Sequence, residues 1–236
     1  VKILYYLRIM KGVDVMDKKL FNPMAELFKC VSIAILFLFI GNIFSLKFLP
    51  NSFVNMANIF LTIFMIVFLL ILMFSKKSVM PRRFSMNIVY LISFINGVLL
   101  SPTIRYYIGD LGYIGVINVL LTTVIIFAAL SFIACKSDSD KFLKLGPMLA
   151  VGLIALLITS LINIIFFGRV MNFFLSAFGA LLFSIYILYD ISLVKRAIER
   201  GYIRERDDLS TYVLGLYIDF INLFTDLLNI ASRLDD

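Results

Sequence analysis

The sequence predicts an all-α integral membrane protein of seven transmembrane helices, with the C-terminal helix central in the bundle. Three observations carry this. Hydrophobic residues make up 62% of the 236-residue chain and charged ones only 16%, against about 45–50% and about 25% in soluble proteins. Apolar stretches of spanning length recur with short connections between them. The basic residues alternate from one connection to the next. So much apolar surface has no place in a water-soluble globule, and the same composition excludes disorder, fibrous repeats and a disulfide scaffold. The chain contains no histidine, which removes Ser-His and Cys-His catalysis and His-ligated metals. Any pH response must come from carboxylates.

Five stretches are free of charge: Cys30–Leu46, Phe53–Phe74, Met86–Ile104, Tyr113–Cys135 and Leu145–Phe167. Each is near the ~17–25 residues that cross the hydrocarbon, and the first extends back toward Leu27. Val170–Val194 and Leu209–Ser232 have the same length but carry charges. The predicted organisation is a basic arm over 1–26, a single seven-helix domain over 27–232 and a short tail over 233–236. Val1–Lys11 reads as a frayed end or an interfacial helix, and lacks the order of a cleavable signal.

Of the 22 Lys and Arg residues, eighteen fall in the arm and in the connections around Lys76–Arg83, Lys136–Lys144 and Lys195–Arg206. Only Lys47, Arg105, Arg169 and Arg233 fall on the other side. The positive-inside rule then puts the N-terminus in the cytoplasm and the C-terminus outside. The net charge of +7 is thus an orientation signal, and nucleic acid is not an expected partner. Tyr106, Tyr107 and Tyr113 fall where an outer aromatic belt belongs. Cys30 and Cys135 map to cytoplasmic ends, where thiols stay reduced.

Three charges lie inside the spans: Asp190, Asp219 and Asp226. A charge at the centre of a spanning helix costs ~2.5–3.5 kcal/mol on insertion scales, so its retention points to a partner and a use. At ~1.5 Å per residue, Asp190 and Asp219 lie roughly 9 and 15 Å from the same side, close enough in depth to meet. Asp219, Asn222, Asp226 and Asn229 recur at helical spacing and form one polar stripe on the seventh span. Such a stripe faces protein or water, lining a pore or gluing helices. Small residues make two packing seams, Ser93–Gly97–Ser101 before Pro102, and Ser176–Ala180–Ser184 with Gly179. Asn96 and Asn163 read as single structural amides.

If Asp190 and Asp219 meet, two like charges about 4 Å apart repel by ~4 kcal/mol at an effective dielectric of 20. The pair would share one proton, and ionisation would part the helices and leave an oxygen-lined site suited to a hard cation such as calcium. Glu205, Asp207 and Asp208 read as a solvated loop, or as acids standing at the cytoplasmic mouth.

The segments Gly179–Asp190, reading GALLFSIYILYD, and Leu216–Phe224, reading LYIDFINLF, resemble the signatures of the transmembrane Bax inhibitor motif family. The likeness extends from about Leu27 to Ile230 and is closest to the compact bacterial members. It implies a seven-helix fold with the last helix central, and a pH-sensitive calcium leak in the bacterial cytoplasmic membrane. It further implies that Asp190 and Asp219 are the controlling pair, which calcium meets transiently. In the family a basic residue near the inner end of the second span latches the sixth-span aspartate; Lys76 or Lys77 stands nearest that place. Lipid, calcium and protons are then the partners, with calcium the permeant species, no cofactor and no enzymatic activity. A cation/proton exchanger would use the same carboxylates. An intramembrane aspartyl protease fits less well, because Gly215-Leu-Tyr-Ile-Asp219 is not Gly-x-Gly-Asp. The seventh span lacks the lysine of a rhodopsin-like photoreceptor, and the charge count is opposite to that of a G-protein-coupled receptor.

Overall fold

A computed structural model describes residues 21–50, 52–60, 83–166 and 169–234. All regular structure among them is helical: α1 Pro23–Phe48, a helical stretch over 52–60, α2 Met86–Lys136, α3 Ser139–Leu143, α4 Gly146–Phe166, α5 Arg169–Glu199 and α6 Ser210–Leu234, with a 3-10 turn Arg206–Leu209 before α6. Five of these helices are long and apolar enough to cross a membrane. The protein is an all-α integral membrane protein.

The 51-residue α2 would be about 77 Å long if straight, more than twice the ~30 Å hydrocarbon core. It is not straight. Gly112, at φ 71 and ψ 169, takes a left-handed conformation that side-chain-bearing residues avoid. The two limbs on either side of it are the expected third and fourth spans. The five long helices therefore supply six crossings. The remaining predicted span, Phe53–Phe74, is helical over 53–60, and 61–74 lie outside the described residues.

Helix α1 begins earlier than hydropathy suggests. Asn22 Oδ1 accepts from Ala25 N at 3.2 Å and Pro23 opens the helix, a cap-and-proline start that continues four residues into the expected arm. Helices α1 and α2 cross where both lack side chains. A methyl group built on Gly97 would strike the Leu38 carbonyl, and one on Gly41 the Phe94 carbonyl. Ser45 and Ser101 share a hydrogen bond of 2.7 Å beside this crossing. The third-span small-residue seam is thus a packing contact with the first helix.

Helix α6 is the centre of the bundle. Leu216, Tyr217, Phe220, Leu223, Phe224 and Leu228 are all buried on it, and it packs against α1, both limbs of α2, and α5. Phe220 meets Phe127 edge-on at 5.7 Å, and Phe224 meets Phe39 at 6.4 Å. Outward-facing Leu36, Ile40, Val151 and Ile158 stay exposed, as lipid-facing side chains should.

The basic connections gather at one end of the bundle. There Arg196 pairs with Asp140 at 3.4 Å, Ser139 Oγ donates to Glu199 at 2.9 Å, and Phe84 N donates to Ser210 Oγ at 3.2 Å. Lys195 Nζ reaches the carbonyls closing α2, Cys135 O at 2.9 Å and Ala134 O at 3.3 Å, and also Ser137 O. At the opposite end Ser232 is hydrogen-bonded to Asp110. Among the described residues, the alternation of charge along the sequence is therefore an alternation in space.

Candidate functional site

Helices α5 and α6 run antiparallel along a long seam, and the intramembrane acids sit on it. Asp190 projects from α5 onto a gap in the α6 surface, because position 215 carries no side chain. A methyl group built on Gly215 would stand 2.5 Å from Asp190 Oδ2. Asp219 lies one helical turn beyond Gly215 on the same face. It is only 5% exposed, and its Oδ2 has no hydrogen-bond partner among the described residues. The Asp190 carboxyl thus rests on α6, one helical turn from the Asp219 position. Tyr186 lies one turn before Asp190 on α5.

Two carboxyls in such a place have limited options. Both cannot remain charged without strong mutual repulsion and a desolvation cost. A proton held between them, or a hard cation drawn to their oxygens, resolves the conflict.

The rest of the stripe divides along α6. Asp226 packs its carboxyl against the backbone at Gly179, with the Ser176 hydroxyl in hydrogen-bonding reach. Asn222 and Asp226 line a cavity of about 400 Å³ between α4, α5 and α6. Asn229 lies beside Tyr107 of α2, and its Oδ1 has no hydrogen-bond partner among the described residues. Gly179, read as part of a packing seam, is thus also the cradle of an acid.

The acids of the basic end are engaged in folding contacts. Asp207 Oδ1 accepts from Met86 N at 3.1 Å and caps α2. Asp208 Oδ2 accepts from Arg204 N at 2.9 Å and Glu205 N at 3.1 Å. Arg83 pairs with Asp208 at 3.1 Å and with Glu205. Lys76 and Lys77 lie outside the described residues.

A model of the family described as "Inhibitor of apoptosis-promoting Bax1" matches residues 18–236. The chain belongs to the Bax inhibitor family. An uncharacterized protein of Campylobacter jejuni is 34% identical to this family member over 63% of the present chain and 62% of its own length. An uncharacterized protein of Helicobacter pylori is 30% identical over 70% of this chain and 67% of its own. An uncharacterized membrane protein of Vibrio cholerae is 31% identical over 59% of this chain and 60% of its own. The chain therefore spans about three-fifths to two-thirds of the relatives it matches, and it shares with the Bax inhibitor family its nature as an integral membrane protein.

Three features of this family member escape a reading by composition and motif. Gly215 is one; its spacing of four from Asp219 was the available signal. Tyr186 is another, at the same spacing from Asp190. The third is an amide pair: Asn163 Nδ2 donates to Asn172 Oδ1 across the α4–α5 connection. Asn163 alone reads as a structural amide, and no sequence pattern joins it to Asn172.

Proposed function

We propose that this Bax inhibitor family protein is a pH-sensitive, calcium-permeable leak, gated by a proton that Asp190 and Asp219 share. What carries the reading is one observation: the Asp190 carboxyl rests on Gly215, one turn from a buried Asp219 whose Oδ2 lacks a hydrogen-bond partner among the described residues. Protonated once, the pair joins α5 to α6. Ionised twice, it repels by ~4 kcal/mol at 4 Å and an effective dielectric of 20. That exceeds the ~0.6 kcal/mol of an average interhelical polar contact, so repulsion outweighs the remaining polar glue and loosens the seam. The opened seam offers carboxylate oxygens to calcium, a hard cation. Conductance is then greater when the pair is ionised. The basic end faces the cytoplasm of a bacterial cell in this reading.

The test is calcium flux into proteoliposomes from about pH 5 to pH 8, the physiological range that in other proteins a histidine would cover. Native protein should conduct more at the alkaline end, and Asp190→Asn and Asp219→Asn should each flatten the profile. Unchanged flux and profile in both variants reject the gate. Calcium movement tied stoichiometrically to proton counterflow replaces the leak with an exchanger.

A further inference from the structure

The cavity between α4, α5 and α6 lies outside the Asp190–Asp219 seam, and its chemistry is specific. Its polar lining comprises Asp226, Asn222, Asn163, Asn172, Ser176 and Ser160, with no basic residue among the described lining groups. Asp226 is the one acid among those described lining groups. Asn163 is 7% exposed, and its Oδ1 is buried without a hydrogen-bond partner among the described residues. The Asn163 amide already gives Nδ2 to Asn172, which orients the orphan oxygen. A buried, unpartnered carbonyl oxygen costs ~1–3 kcal/mol.

An acid, amide carbonyls and hydroxyls facing one chamber form a set of hard oxygen donors. The volume of about 400 Å³ holds an ion with several waters, at ~30 Å³ each. We propose that this chamber binds a hard divalent cation such as calcium, through Asp226 and the Asn163 carbonyl oxygen with Asn222, Ser176 and water completing the shell. No group of three or more His, Cys, Asp or Glu residues among the described residues can hold a metal, so this is not a resident structural site. With one carboxylate the affinity belongs to the weak end of oxygen-ligand sites, about 10⁻⁴–10⁻³ M. Weak binding suits an ion that must leave again. Asp226 is seven residues past Asp219, roughly 10 Å along α6, so the chamber is separate from the inner pair. The proposal does not rest on the gating role of that pair.

Manganese, a hard divalent ion with the same donor preference, is the probe. Its free-ion electron paramagnetic resonance signal is titrated with protein in zwitterionic nanodiscs, with calcium as competitor. The background variant is Asp190→Asn/Asp219→Asn, which removes the inner acids. That variant should keep a calcium-displaceable bound fraction, and adding Asp226→Asn should weaken it by about fivefold or more. Asn163→Leu, of similar volume, should weaken it by about twofold or more, and decides the matter if the Asp226→Asn protein does not fold. The proposal is overturned if the background variant shows no displaceable manganese. It is equally overturned if folded Asp226→Asn, or Asn163→Leu in its stead, leaves affinity and stoichiometry unchanged.

Discussion

Gly215→Ala moves one carboxyl without changing any charge. The added methyl would stand 2.5 Å from Asp190 Oδ2, whereas ordinary contact begins at 3.4 Å, so the carboxyl must retreat from α6 by about 0.9 Å. Among the described residues, Oδ2 and Cγ of Asp190 are the atoms of another helix within 4 Å of the methyl. Alanine in place of a helical glycine gains about 1 kcal/mol of propensity. Pushing the Asp190 side chain off its rotamer costs ~0.5–1.5 kcal/mol. The two offset, and the fold should hold with a thermal midpoint within a few degrees of the native value. At an effective dielectric of 20, any two unit charges that part from about 4 Å to about 5 Å lose repulsion from ~4 to ~3.3 kcal/mol, which sets the scale of the effect. That difference is roughly a three- to fourfold change in an equilibrium. Calcium efflux from proteoliposomes at alkaline pH should fall by about that factor, with a smaller change at acid pH. A folded variant whose flux matches the native protein at both extremes would refute the link between the seam and conductance.

Other expectations concern the frame that holds the seam. Gly97→Ala forces the α1 and α2 backbones apart at Leu38; overpacking of this kind costs ~1–3 kcal/mol, and a clearly lowered thermal midpoint in detergent checks it. Asp207→Ala removes the cap on Met86 N, worth about 1 kcal/mol, and faster amide exchange in the first turn of α2 should report the loss. Lys195→Met strips a charged donor from the carbonyls of Ala134, Cys135 and Ser137. Hydrogen bonds of that kind contribute ~1.5–3 kcal/mol, so exchange should rise over 136–140 while the α1–α2 crossing keeps its protection.

Much of this architecture was legible in the amino acids, and for physical reasons. Lipid demands long apolar helices, and the positive-inside bias spaces the charges, so spans and their alternation follow from hydropathy and lysine count. The polar stripe of α6 was legible too, because Asp219, Asn222, Asp226 and Asn229 repeat at the helical period. Other features depend on which helices meet. Nothing local to Asp190 says that it rests on Gly215, nor does anything near Asp226 announce the notch at Gly179. Glu205 and Asp208 read as acids of an open mouth, and their engagement with Arg83 depends on the packing of α2 beside α6. The cavity gathers residues from three helices, so its amide pair has no linear signature. Gly112 marks the opposite case: one residue with positive φ divides Met86–Lys136 into the two expected spans.

The central claim is that Asp190 and Asp219 act as one unit, and a double-mutant cycle on calcium flux tests it most directly. Asp190→Asn, Asp219→Asn and the double variant are compared with native protein at the pH of steepest native response. If one proton serves both acids, either single substitution abolishes the response and the double variant is no worse than the singles. Independent, additive effects of the two substitutions would contradict it.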